Sequence, residues 1–454
     1  MPLDRRTFLT ATPAAAPVLA ATALAGPAKA EAAVTGQVIN ARDLGVMANS
    51  ASDQTATLQA AIDRAAAARL PLFLPPGGYG TGPLTLRDGT ILSGAGQSTR
   101  LVAVSRGPVL AASAAGDVSV RDLSVTGLQS GVPIEGEAPP LIDCADIPRL
   151  LLDGVAVDGG DDNGISLARC GGTVRNCRIN ASAGTGLFSI DATGLEIIHN
   201  AVQDCGNNGI QVWRSTPGED GTIVAHNRIR RIRSDAGGSG QYGNGVNVFR
   251  AGAVLVTANR IEDCTYSAVR SNAGSDCQIL GNSCSRLGEV AIYAEFGFEG
   301  AVIANNLVNM AATGIVMTNF NEGGRLAVCS GNIVRNLFTR DHYDRRGNGI
   351  GAEADTAITG NVVENAPEAG ISIGWGHHQR NVSAANNIVR DCGVGISVSV
   401  VTGAGTALLT GNLIATPKSA AIQGYEWANP IGGDLIDAVE NPFPNVVLSG
   451  NARG

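Results

Sequence analysis

The side chains able to act on a substrate crowd into the middle of this chain. Arg270, Tyr293 and Glu295 fall close together, and Glu353 follows at a distance that recurs elsewhere in the sequence. Two carboxylates with room for a water between them would serve hydrolysis with inversion, one acting as acid and the other as base. An arginine that neutralises a substrate carboxylate, beside a tyrosine or histidine that moves the adjacent proton, would serve elimination or epimerisation of a uronate. Around these four stand Trp213, Arg214, Asn247, Phe249, Arg250, Asn272, Asn319, His342, Asp344, Trp375 and His377. Rings lie against sugar faces and amides read hydroxyls, so this set points to a polysaccharide. His378 follows His377 with no carboxylate at ligand spacing, so no metal site is expected, and nothing implies a cofactor.

Such a set acts together only where a repeating fold stacks it, and the sequence repeats. Asn followed at one remove by Ile, Val or a relative recurs at Asn176, Asn200, Asn227, Asn259, Asn282, Asn306, Asn332, Asn361, Asn387 and Asn412, at intervals of 23 to 32 residues. A second phrase, a small residue and then an aliphatic one, precedes it in each unit, as in Gly164-Ile165, Gly209-Ile210, Ala291-Ile292, Gly349-Ile350 and Gly395-Ile396. Both phrases open short alternating apolar runs, which is the periodicity of strands. The units are as long as leucine-rich repeats, but leucine is not the ladder residue and no helix fits inside a unit. A right-handed parallel β-helix remains, an all-β solenoid in which equivalent residues of successive coils lie about 4.8 Å apart. The repeated asparagines then form a ladder at a turn where asparagine tolerates positive φ, and they need no role in chemistry.

Alignment on the aliphatic residue puts Asn247, Arg270 and Tyr293 in one outward column and Trp213, Phe249, Asn272, Glu295 and Glu353 in another. Arg214, Arg250, Asn319 and Trp375 come one residue later. Glu295 and Glu353 are two coils apart, a separation of about 9 to 10 Å between their backbones. Long units suggest that Trp213 to Gly221, Ser234 to Gly243 and Thr339 to Asn348 project as loops and wall a groove.

The N-terminal region prepares this solenoid. Residues 53 to 68 have helical periodicity, with Leu58, Ala61, Ile62 and Ala65 on one face and Ser52 or Asp53 as N-cap. A helix there would cover the open first coil. Three segments are expected: 1–30 as a targeting peptide, 31–100 as cap and first coils, and 101–454 as the repeats.

Residues 1 to 30 have paired Arg5-Arg6, an alanine-rich apolar stretch and Ala28-Lys29-Ala30 at a cleavage position, which resembles a twin-arginine export signal. Asp4 and Thr10 depart from the usual residues of that motif. The resemblance implies a translocase as partner during export and a periplasmic or secreted protein. No later stretch reaches the roughly 18 apolar residues of a membrane span, so stable membrane insertion is not expected. Of the 32 basic and 40 acidic residues, three basic and one acidic lie before Glu31, so the net charge of −8 becomes −10 without that segment. Nucleic acid is an unsuitable partner for such a surface. The nine cysteines include no Cys-x-x-Cys pair, and Cys205, Cys264 and Cys392 occupy the same repeat position as Ile232, Leu287 and Ala311, as small hydrophobes of the core would.

With Arg5-Arg6, the Asn-x-Ile/Val repeats, Gly349-Ile350-Gly351-Ala352-Glu353-Ala354-Asp355 and Gly374-Trp375-Gly376, the chain resembles the twin-arginine-translocated repeat family of pectin-lyase-like proteins. The resemblance implies export and a β-helix and leaves the activity open. Asp341-His342-Tyr343-Asp344-Arg345 also resembles the Asp-Pro-His-Asp loop of mannuronan C5-epimerases, although it lacks the proline and its histidine is displaced by one.

Overall fold

The computed structural model describes residues 37–128, 138–238, 240–340 and 347–454. The expected export signal in 1–30 lies outside them. Residues 38–454 form a right-handed parallel β-helix in which each coil contributes strands to stacks running along the axis. One stack is a 16-stranded sheet running from Ile39–Asn40 to Val446–Ser449. The other two merge into a 28-stranded sheet because Ser283–Glu295 and Leu307–Met317 pass from one to the other without a break. No helix among the described residues is long and apolar enough to cross a membrane.

The alternation read from the sequence sets the packing. Ile165, Leu187, Ile210, Val246, Val269, Ile292, Ile315, Ile350, Ile371, Ile396 and Ile422 pair in register from coil to coil and are all buried in one continuous core. β-Branched side chains suit this interior because they fill a pleated surface with little rotamer freedom to lose. The nine cysteines are all free and buried. Burial pushes the Cys205 thiol up to about 12, which leaves it an inert hydrophobe.

The asparagine ladder forms, with two differences from expectation. Ten buried or nearly buried asparagines stack: Asn200, Asn227, Asn259, Asn282, Asn306, Asn332, Asn361, Asn387, Asn412 and, missed in the sequence, Asn451. Asn176 stands one position before the ladder site, which Cys177 fills. Nor does the ladder residue itself adopt positive φ; the residue before it does, as at His199, His226, Ala258, Gly281, Asn305 and Gly331. The reason lies in the hydrogen bonds. Oδ1 of Asn306 accepts both the backbone N–H of Asn282 (2.9 Å) and its Nδ2 (3.0 Å), while Nδ2 of Asn306 donates to the Ile279 carbonyl (2.9 Å). Turning the chain one residue earlier points the amide inward, where it satisfies backbone groups that the corner leaves unpaired.

The helix spans Thr55–Ala68 and buries Leu58, Ala61, Ile62, Ala65 and Ala66 against the first coils. Gln54 occupies the cap position without a side-chain cap bond, and Asp53 instead accepts the Thr55 N–H at 2.8 Å. The cap is therefore later than Ser52 or Asp53, and the Gln54 side chain makes no cap bond because it accepts the Met47 N–H instead. Of the expected loops, Trp213 to Gly221 is for the most part the end of a long strand, Asn208–Glu219, that bulges between Trp213 and Gly218.

Replacing Asn306 with alanine strands the Asn282 donors and the Ile279 carbonyl inside the fold, a loss of about 3 kcal/mol in urea unfolding. Asn176→Gly, at an exposed left-handed corner, should change stability by about 0.5 kcal/mol or less.

Candidate functional site

The face built on Gly-aliphatic strands has two outward columns, and the structure treats them differently. In the first, Gln211, Asn247, Arg270 and Tyr293 are all buried. Gly240 and Gln241 lie over this column: Asn208 and Asn247 donate their amides to the Gln241 carbonyl, and Asn244 donates to that of Gly240. Gly240 has φ +132°, and a β-carbon there would fall 1.7 Å from an Arg270 nitrogen. The open wall expected to carry Asn247, Arg270 and Tyr293 is thus corrected to a covered one. A loop that the sequence marked as the groove's wall has become its lid.

Beneath it sits a buried ion pair. Arg270 donates Nε to Glu295 Oε1 at 2.6 Å and Nη2 to Oε2 at 2.9 Å, and its Nη1 reaches Glu289 at 3.1 Å. Asn272 adds a third bond to Glu295 Oε1 at 3.0 Å, and the guanidinium stands 5.1 Å from the Tyr293 ring centre. Glu295 is 1% exposed. Both its oxygens are engaged, so it cannot hold a water for attack without breaking the pair. Arg270, likewise, has no free edge to offer a uronate.

The second column is buried at Glu295 but open at its other central positions, as is the corner beyond it. Trp213 and Phe249 of the second column and Phe188, which stands in the first column one coil earlier, are half-buried rings, with centres 5.5 Å apart for Phe188 and Trp213 and 5.3 Å for Trp213 and Phe249. Trp213 donates its indole N–H to Asn247 at 2.9 Å, and Arg250 stacks on Phe249 at 4.7 Å. Arg214 is folded back on the carbonyls of Thr216 and Glu219, and Arg250 on that of Ser215. At the corner Arg250, Ala273, Phe296 and Asn319 each adopt positive φ, which turns their side chains outward. Phe296 is 41% exposed and sits at the same corner position as Arg250 and Asn319. The sequence carried that signal, since Phe296 stands four residues after Ile292.

Glu353 follows Glu295 by two coils in this column, as the spacing predicted. Its environment is different. Burial raises its carboxyl above the ordinary value, against the pull of the Phe320 and Asn319 backbone N–H groups, the first at 2.7 Å. No arginine, lysine or histidine among the described residues pairs with it. Two carboxylates of one column therefore sit in different surroundings, one clamped in an ion pair and the other half-buried with its pKa raised by burial. Further along, Trp375, His377 and His378 cluster at an outward turn, where burial and then His377 lower the His378 imidazole. Trp427, not singled out in the sequence, joins them with its ring centre 5.8 Å from that of Trp375. His342 and Asp344 lie outside the described residues. No cluster of metal-ligating side chains occurs among the described residues.

A family model described as the right-handed beta helix region matches residues 142–229 and 163–323. The fold is that of the right-handed β-helix proteins. The catalytic unit of a thermostable GH87 alpha-1,3-glucanase from Streptomyces thermodiastaticus strain HF3-3 is 16% identical at a TM-score of 0.50, over 92% of this chain and 69% of that one. The tailspike protein gp49 from Pseudomonas phage LKA1 is 12% identical at a TM-score of 0.57, over 85% and 83%. The pre-mature gene product 12 of bacteriophage phi29 is 14% identical at 0.55, over 91% of this chain and 55% of that one. No curated protein matches the sequence. At these identities the likeness is one of fold.

Two outcomes test this electrostatic reading. Arg270→Met leaves Glu295 buried and uncompensated and should cost about 3–5 kcal/mol, whereas adding Glu295→Met should restore more than half of it in the same unfolding assay. For Glu353, a raised carboxyl pKa means the folded state holds its proton more readily than the unfolded chain, so this group's contribution to stability falls as pH rises between the two values. Glu353→Gln keeps an acceptor for the Phe320 N–H and does not titrate. Its melting temperature should therefore gain on that of the wild type as the buffer goes from mildly acidic to neutral.

Proposed function

We propose that this protein is exported through its Arg5-Arg6 segment and binds a polysaccharide along the open edge of its central coils, with Glu353 as the proton-transferring group. The observation that carries the reading is the row of half-exposed rings, Phe188, Trp213 and Phe249, continued at the corner by Phe296. A periodic line of rings fits a periodic ligand, since successive sugars can each meet a ring. Asn272 and Asn319 lie along the same line and offer amides to hydroxyls. Solved structures of this fold include the catalytic unit of an alpha-1,3-glucanase, which supports a polysaccharide as the ligand class.

Of the reactions open to the residues, acid catalysis at Glu353 is favoured over a uronate reaction at Arg270. Glu353 is half-buried, raised in pKa by burial and without a cation partner among the described residues, and a shift in that direction is the one a general acid needs. Arg270 is already neutralised by Glu295. A binding protein without turnover is the second reading, favoured by the clamped state of Glu295, which leaves Glu353 without a second carboxylate in its column.

Affinity electrophoresis against gels containing neutral or uronate polysaccharides tests the binding, and product analysis of the retained glycan tests the chemistry. Phe249→Ala should weaken retention about 10-fold, equivalent to about 1.4 kcal/mol, and Glu353→Gln should abolish product while retention persists. Unchanged retention by Phe249→Ala would remove the edge as the binding surface. Retention without product in the wild type would leave the binding reading alone.

A further inference from the structure

Among the described residues, pairing along the solenoid is parallel except in two places, and each of these carries a tryptophan. Trp375 and His378 form an antiparallel bridge, with reciprocal backbone hydrogen bonds of 3.2 and 3.0 Å. Ala420–Glu426 and Asn429–Ile431 form an antiparallel hairpin whose two-residue loop begins at Trp427. Such a loop favours asparagine or glycine at its first position, because φ must be positive there. Trp427 holds φ +55° instead, a strained choice for a bulky residue. Neither tryptophan gains burial from its position: they are 51% and 43% exposed, two of only three in the chain.

The surrounding structure holds these rings in place. Gly374 and Gly376 turn the chain at φ +75° and +58°. A β-carbon on Gly376 would lie 2.3 Å from the Trp427 ring, so only glycine allows the two turns to close on each other. Ser399, buried, donates to the Gly376 carbonyl at 2.6 Å from the next coil. The indoles meet at 77°, and His377 stands at 90° to Trp427 with ring centres 5.5 Å apart. The result is a rigid corner, one ring presenting a face and another bounding its edge, with imidazole nitrogens beside it. Glu426 is the adjacent charge, and no arginine or lysine contact to these rings is found among the described residues.

We infer that Trp375 and Trp427, with His377 and His378, form a stacking subsite for a neutral hexopyranosyl ring of the bound glycan. This rests on the polysaccharide reading above and extends it. A flat apolar face with hydrogen-bonding nitrogens at its margin matches a pyranose, whose C–H face is apolar and whose rim carries hydroxyls. A glycan carboxylate would meet Glu426 without a compensating cation. By register, Gly374 lies five coils beyond Phe249, so the subsite is about 24 Å from the central rings and takes a separate sugar of the same chain.

The test titrates the full-length protein with gluco-, manno- and galacto-hexaoses and with a hexagalacturonate, following tryptophan fluorescence and calorimetric affinity. Trp375→Ala and Trp427→Gly should each weaken binding of one neutral hexaose about 10-fold. Trp427→Gly, which suits the left-handed turn, should hold or raise the melting temperature. Unchanged affinities in these two variants, while Phe249→Ala still weakens polysaccharide retention, overturn the subsite and leave the central edge standing. Tighter binding of the hexauronate overturns the neutral assignment. If the wild type binds no glycan of either kind, the polysaccharide reading fails and the subsite fails with it.

Discussion

Every spatial relation in this molecule depends on coils stacking in register, and the buried asparagine ladder is the interaction that enforces it. Each rung ties one coil to the next through a backbone N–H, a side-chain N–H and a shared oxygen. A slip of one residue would turn each strand's aliphatic residues outward and bury its polar ones. It would also strand several polar groups in an apolar core, at a cost that grows with each rung. Apolar burial and the amides therefore oppose the same slip, the amides through directional bonds that fit a single register.

A solenoid held this way has two ends and several faces to protect. The Thr55–Ala68 helix closes the N-terminal end by placing Leu58, Ile62 and three alanines on the first coils. At the other end Asp434 accepts the Ala421 and Ile422 N–H groups and pairs with Arg453, so the last strand of the site face is capped by charge and by a hairpin. Between these ends the unit lengths vary, and the extra residues are what distinguish one coil from another. One insertion bulges a strand at Trp213 to Gly218; another lies over Arg270.

The site has a tension that a purely structural surface would lack. Arg270 and Glu295 satisfy each other, as a buried pair must. Glu353, in an equivalent position two coils on, is half-buried with backbone N–H groups as partners and no cation. Trp427 occupies a backbone conformation that glycine would adopt at lower cost. Unrelieved costs of this kind gather where binding or proton transfer is selected over stability.

Much of this was legible from spacing. The repeat phrases identified the ladder, the inward aliphatic column and the buried cysteines, because a period-two strand leaves each residue only two sides to face. They also placed Glu295 and Glu353 in one column, and Trp213 next to Phe249. The sequence by itself therefore determined the β-helix, its register and which residues share a column. Only the tertiary structure decided which residues of these columns meet solvent. For Asn247 and Arg270 that outcome turned on where Gly240 and Gln241 came to rest, and an insertion carries no periodicity to reveal it. The same holds for Trp375 and Trp427: they lie 52 positions apart in the sequence, and two turns on different coils, packed together at Gly376, bring their rings into contact.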